Sequence, residues 1–209
     1  MSVSIWDRLS KKYDRLWVQK YSLAPTREAV ILIIEKLEAG RYFRILDLGC
    51  GTGQLIERLR HKYPESDFVG VDKSWAMVEL ARAKNSMCTF YTSDIVDWKF
   101  SEEPFDVVVC CHSFPYFSDK KAAVKRVREV LKQGGHAIFV QASVNTIYDR
   151  IVMWFVEKTA ESAQYFSKKE FAAYFSDEFD IIDEFVIKKK WYMPNICGFV
   201  FRRKNSSAN

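Results

Sequence analysis

The chain has 209 residues, which fits a single domain large enough to bury about 70% of its unfolded surface. Apolar residues make up 48% of it and aromatic residues 15%, a composition that excludes a disordered chain. No apolar run reaches membrane-spanning length and the N-terminus lacks a secretory signal pattern, so we expect a cytoplasmic protein with no membrane partner.

The formal net charge of +5 arises entirely after residue 183, where six Lys or Arg residues meet one acidic residue. This pattern is typical of a solvated hairpin edge and also of a phosphate-binding patch, and we favour the first over nucleic-acid binding. The five cysteines are odd in number and lie mostly in apolar strand contexts, which indicates reduced thiols in the core. We predict no metal site, because the adjacent residues of Cys110-Cys111-His112 would point to opposite faces of a strand.

The first predicted element covers residues 5–21, where aromatic and leucine side chains recur at helical spacing on one face. These side chains are Trp6, Leu9, Tyr13, Leu16, Trp17 and Tyr21. Pro25-Thr26 then opens a second helix that runs through Leu37 and is ended by Gly40.

Strands and helices alternate through the middle of the chain, and this alternation predicts an α/β doubly wound parallel sheet. The predicted strands are Phe43–Leu48, Asp67–Asp72, Met87–Thr92, Phe105–Cys111 and His136–Gln141, and the helices between them end near Tyr63, Lys84 and Leu131. Two further helices, Val144–Ser162 and Lys168–Phe175, precede two closing strands, Phe179–Lys189 and Ile196–Arg203.

Residues 45–53 carry the most specific motif. An apolar strand containing Asp47 is followed by Gly49, Gly51 and Gly53 and then by an amphipathic stretch. Glycine permits close approach of a ligand, and the following helix offers its positive end, so the motif predicts a cradle for a nucleoside-bearing ligand. A dinucleotide loop would read G-x-G-x-x-G, whereas the spacing here is G-x-G-x-G; that loop and a plain structural turn are the alternatives.

The segment Asp-Leu-Gly-Cys-Gly-Thr-Gly resembles the first motif of the class I S-adenosylmethionine-dependent methyltransferases, and the resemblance extends over roughly residues 40–140. It implies a Rossmann-like seven-stranded, mostly parallel sheet with an antiparallel C-terminal hairpin and helices on both faces. It also implies one domain over residues 1–204, with residues 1–38 as a helical cover and residues 142–166 as a lid. Residues 205–209 are expected to be a disordered tail. The cover resembles that of small-molecule methyltransferases related to quinone biosynthesis, in which a pair such as Tyr13-Asp14 recurs.

The resemblance implies a cofactor site for S-adenosylmethionine, with S-adenosylhomocysteine as the product, at the carboxyl ends of the strands. Asp72 would accept hydrogen bonds from the ribose hydroxyls, the alternative being a cap on the next helix. Asp94 and Ile95 would recognise adenine, Met77 would flank its face, and Asp47 would orient the loop amides or the ammonium end. The predicted cofactor-binding set is Tyr13, Asp47, Gly49, Cys50, Gly51, Gly53, Asp72, Lys73, Met77, Asp94, Ile95 and Cys111.

For the methyl acceptor we predict a small molecule in an apolar pocket. His112 is either a general base or a hydrogen-bonding loop residue. The predicted substrate-binding residues are Trp17, Tyr21, Phe114, Tyr116, Tyr148 and Trp154. Two other functions stay open, namely methylation of tRNA or protein and non-catalytic cofactor binding. A monomer and a homodimer are both compatible with the sequence.

Overall fold

The computed structural model describes residues 5–38, 42–99, 103–159, 163–188, 190 and 193–205. The helices are α1 (Ile5–Tyr13), α2 (Ala24–Glu38), α3 (Gln54–Lys62), α4 (Trp75–Lys84), α5 (Lys120–Val130), α6 (Ile147–Thr159) and α7 (Lys168–Ala173). The strands are β1 (Arg44–Leu48), β2 (Asp67–Asp72), β3 (Thr89–Thr92), β4 (Phe105–Cys111), β5 (Leu131–Ala142), β6 (Phe179–Ile187) and β7 (Ile196–Arg203).

The strands form one seven-stranded sheet in the order β3-β2-β1-β4-β5-β7-β6. Strands β1 to β5 pair in parallel, whereas β7 runs antiparallel to both β5 and β6. The predicted doubly wound sheet with a closing antiparallel hairpin is therefore confirmed.

The core lies in two apolar layers, one on each face of the sheet. On one face α2, α3 and α4 contribute buried side chains such as Val30, Ile56 and Val78. On the other face α5 and α7 contribute Val127 and Phe171. Because β1 is buried along its whole length between these layers, the residues at its end are held in fixed positions.

Two predicted elements differ most from the structure. The stripe at residues 5–21 is not one helix, because α1 ends at Tyr13 and a π-helical turn, Gln19–Leu23, leads directly into α2. Strand β5 begins at Leu131, directly after α5, rather than at His136. Leu131 pairs with Phe105 but His136 pairs with Val107, so the intervening residues bulge out.

Some predictions fall on parts of the chain outside the described residues. These are the stop at Gly40, the helix end at Ser162, residue Lys189 and the tail from residue 206.

Candidate functional site

The glycine loop lies where the carboxyl ends of β1, β2 and β4 meet. The Gly49 N–H donates to the Val71 carbonyl of β2 at 2.7 Å. Ser113, just after β4, donates its hydroxyl to the Leu48 carbonyl at 2.7 Å. A Cβ on Gly49 would lie 2.3 Å from Ser113 Cβ, and the φ of Gly49 is +71°, so only glycine fits this junction.

Asp72, the last residue of β2, organises the loop. Its Oδ2 accepts the Gly51 N–H at 2.9 Å and its Oδ1 accepts the Ser74 N–H at 2.9 Å. Burial raises the pKa of this carboxyl, and the two backbone hydrogen bonds oppose the rise. Ser74, not Asp72, is the N-cap of α4, since its hydroxyl accepts the Met77 N–H at 3.2 Å.

The carboxyl of Asp47 and the guanidinium of Arg27 both line the cleft that contains the glycine loop. Asp47 is 3% exposed and makes no hydrogen bond through its carboxyl within the described part of the chain. Burial, and then the charge of Asp72, raise its pKa to about 7, while Arg27 lowers it. Arg27 donates from both terminal nitrogens to Gln19 Oε1 at 3.1 Å, whereas its Nε is buried with no partner among the described residues.

Two carboxylates fasten the N-terminal cover over this cleft. Asp7 on α1 accepts hydrogen bonds from the Ser74 hydroxyl at 2.6 Å and from the Ala76 N–H at 3.3 Å. Asp14 accepts from the Thr52 hydroxyl at 2.6 Å and also pairs with Lys84 on α4.

Between these two attachments, Tyr13 faces the loop. A Cβ on Gly51 would lie 3.6 Å from Tyr13 Cε1. Burial raises the pKa of the Tyr13 hydroxyl, so it stays a neutral donor at the mouth of the cleft. The cover thus lies against the glycine loop at Gly51 and Thr52.

His112 connects β4 to the cover. Its φ is +62°, and its backbone N–H donates to the Val140 carbonyl at 2.7 Å. Its ring Nε2 shares a 2.9 Å hydrogen bond with Thr26 Oγ1. Desolvation, and then the charge of Arg27, lower the pKa of the imidazole to about 4. A neutral ring of such low basicity accepts protons poorly at pH 7, and the geometry therefore favours a positioning role.

An aromatic group extends from α1 across the segment after β4. The Trp6 ring meets the Tyr116 ring edge-on, with centroids 5.2 Å apart, and the hydroxyls of Tyr116 and Tyr165 lie 3.2 Å apart. Phe114 is different from its neighbour Tyr116. It is 1% exposed and packs on Phe139 and Phe171 in the core, and its binding of substrate stays a prediction.

The remaining predicted residues are not all brought to the cleft. Asp94, just after β3, forms an ion pair with Lys73 at 2.6 Å. Ile95, which follows Asp94, is buried, and so is Met77 on α4. Cys50 and Cys111 line the cleft. The structure leaves Trp17 68% exposed, Tyr21 half-buried against Lys20, and Tyr148 and Trp154 exposed on α6.

Sequence reasoning missed Arg27, Thr26 and Trp6. No recognisable motif surrounds Arg27, which is followed by Glu28 near the start of α2, so the sequence pattern gives no signal for it. None of the described residues forms a group of three or more His, Cys, Asp or Glu side chains that could hold a metal ion. Within the described ranges, no helix is both long and apolar enough to cross a membrane.

Residues 45–135 match the family model described as a methyltransferase domain. The demethylmenaquinone methyltransferase of Thermotoga maritima is 27% identical over 142 residues, which cover 67% of this chain and 61% of that protein. Over these residues the chain is similar to methyltransferases. It spans about three fifths of the length of this curated relative.

Solved structures agree with this methyltransferase fold. A putative methyltransferase of Haloferax volcanii, solved in complex with a methyltransferase activator, superposes with a TM-score of 0.80 at 16% identity, covering 98% of this chain and 100% of that one. The N-methyltransferase NodS of Bradyrhizobium japonicum, solved with S-adenosylhomocysteine, has a TM-score of 0.74 at 16% identity, covering 96% and 97%. At these identities the likeness shows the fold.

Proposed function

We propose that this methyltransferase-fold protein transfers a methyl group from S-adenosylmethionine to a small-molecule acceptor. The observation that carries the proposal is that a buried carboxyl, Asp47, and a desolvated guanidinium, Arg27, line one cleft together with the glycine loop.

These two groups fit the amino-acid end of the methyl donor. Asp47 would bind the ammonium group, and Arg27, whose Nε has no described partner, would bind the carboxylate. Asp72 would hold the ribose hydroxyls with acceptor positions not used by Gly51 and Ser74. We keep Asp94, Ile95, Met77 and Lys73 as the proposed adenine end of the site.

When bound, the donor supplies a methyl group activated by a positively charged sulfur. The protein then has to orient the acceptor and exclude water. The cover does both in this proposal, because Asp7 and Asp14 hold Tyr13 over the loop. The hydrogen bond to Thr26 holds the His112 ring in place. In this proposal His112 supports the wall of the cleft and does not remove a proton from the acceptor.

Three observations favour a small acceptor. Trp6, Tyr116 and Tyr165 form an aromatic wall beside the cover, which suits a compact aromatic or lipophilic molecule. Arg203 and Lys204 of the basic C-terminus donate to the backbone carbonyls of Leu131 and Ser176, so these two side chains already have partners within the protein. The relative from Thermotoga maritima carries a small-molecule acceptor in its name.

All five cysteines are free, which supports a cytoplasmic location.

The proposal is tested by incubating the protein with methyl-labelled S-adenosylmethionine and a cell extract separated into metabolite, RNA and protein fractions. We expect label in the metabolite fraction and at least about tenfold less with Asp72→Ala. Label confined to the RNA or protein fraction would contradict the small acceptor. Donor binding without labelling of any fraction would indicate a non-catalytic binding protein.

A further inference from the structure

Helix α6 follows the end of β5 and exposes a continuous apolar face. Ile147 is 81% exposed and Ile151 is 55% exposed, and three aromatic residues share this stripe at helical spacing. They are Tyr148, Trp154 and Phe155, each also exposed by more than two fifths, with the last two rings 4.9 Å apart. Soluble proteins seldom expose so many large apolar side chains on one helix without a binding partner.

The acidic residues of α6 are turned toward the protein. Asp149 is buried and accepts hydrogen bonds from the Thr146 N–H and from the backbone and side chain of Asn195. Glu157 accepts the Tyr165 N–H at 3.0 Å. Among the α6 residues whose side chains the structure describes, the charged residue that is exposed is Arg150.

A basic turn lies beside the first turn of α6. Ile187 pairs with Ile196, which also pairs with Ala142, the last residue of β5. The turn between β6 and β7 therefore lies at the end of the sheet where β5 ends. Exposed Lys188 and Lys190 belong to this turn, which reaches α6 through the hydrogen bonds between Asn195 and Asp149. The candidate site lies at this same end of the sheet, at the carboxyl ends of the parallel strands.

We propose that the apolar face of α6, together with Lys188 and Lys190, docks on an anionic lipid surface. A helix lying in the membrane interface inserts apolar and aromatic side chains while neighbouring lysines meet lipid phosphates. Such docking needs no membrane-spanning helix, so it revises the expectation that no membrane is involved. It goes beyond the proposed methyl transfer and does not depend on it. It would turn the mouth of the cleft toward the lipid, from which a lipophilic molecule can enter.

A second copy of the chain is the competing occupant of this face. A two-fold dimer packed on the first turn of α6 would bring Lys188 and Lys190 of one copy near those of the other. This like-charge repulsion disfavours the dimer, whereas the same charges strengthen contact with anionic lipid.

The test is co-sedimentation of the full chain with vesicles of phosphatidylcholine alone and of phosphatidylcholine mixed with phosphatidylglycerol. We expect binding to the mixed vesicles that weakens as salt is added. Replacing Ile147 and Ile151 together by Ser should weaken binding at least about tenfold, and replacing Lys188 and Lys190 together by Gln should weaken it about tenfold. Leu32→Ser on α2 is the matched control, since Leu32 is 53% exposed, and it should bind as the parent chain does.

Circular dichroism and S-adenosylhomocysteine binding report whether each variant folds, and both should be unchanged in all three. Absence of parent-chain binding to mixed vesicles, or equal binding by the variant at Ile147 and Ile151, would overturn the proposal. A parent dimer that this variant dissociates, without vesicle binding, would assign the face to a second copy instead.

Discussion

The carboxylate of Asp72 holds the backbone N–H of Gly51 at 2.9 Å, so the end of β2 fixes the loop that follows β1. Because the second oxygen of Asp72 accepts the Ser74 N–H, one side chain positions both the glycine loop and the start of α4. The half of the site that we propose to bind the nucleoside is therefore built before any ligand arrives. This preorganisation lowers the ordering cost of binding.

Gly51→Val should abolish detectable binding of S-adenosylhomocysteine, because its methyl groups would occupy the open cleft in front of Tyr13. Gly134→Val is the matched control. Gly134 also has positive φ, +69° against +52° for Gly51, and a Cβ there meets nothing within 4 Å. Both variants should lose similar stability, about 1–2 kcal/mol, through backbone strain. Calorimetry that finds equal affinity for the two variants would show that the ligand does not approach Gly51.

Asp47→Asn should change how stability depends on pH. The folded protein raises the pKa of Asp47 from its ordinary 3.8 to about 7, so it holds this proton more tightly than the unfolded chain does. The resulting stabilisation is present below pH 4 and is lost as the pH rises through about 7. Thermal melts of the free protein should therefore show that Asp47→Asn gains stability relative to the parent between pH 5 and pH 8. A constant difference across this range would mean that Asp47 has an ordinary pKa.

Arg27→Met should weaken S-adenosylhomocysteine binding by about 1.5–3 kcal/mol, the range for losing hydrogen bonds to a charged group. It should also move the pH transition of Asp47 upward, because Arg27 lowers the pKa of that carboxyl. Arg58→Met is the control, since Arg58 joins α3 to α2 through an exposed ion pair with Glu28. If the two variants bind alike, Arg27 does not contact the ligand.

His112→Asn should reduce the single-turnover rate of methyl transfer by less than about tenfold. Asn tolerates the positive φ at this position, so the backbone should stay in place. A general base would contribute about 10²–10⁴-fold and would add a pH inflection near its pKa. With a pKa of about 4, His112 should give no inflection between pH 6 and pH 7. A loss of 100-fold or more together with such an inflection would restore the general-base role.

Much of the fold could be predicted from the sequence because its signals are local. The apolar strand β4 and the loop from Gly49 to Gly53 stand out as short, unbroken patterns. The site was predicted less completely, because long-range packing decides which face of an element meets the cleft. Phe114 and Tyr116 are two residues apart, yet the first is core and the second meets Trp6. Arg27 gave no pattern, since only the fold brings α2 against Asp47.

The central claim is that the cleft between Asp72 and the glycine loop binds the methyl donor, and calorimetric titration with S-adenosylhomocysteine tests it most directly. The parent chain should bind at one site, and Asp72→Ala should weaken binding by about 1.5–3 kcal/mol, roughly 10- to 150-fold. Asp67→Ala is the control at the opposite end of the same strand, where Asp67 pairs with Arg44, and it should leave the affinity unchanged. No binding by the parent chain, or unchanged affinity in a folded Asp72→Ala protein, would contradict the claim.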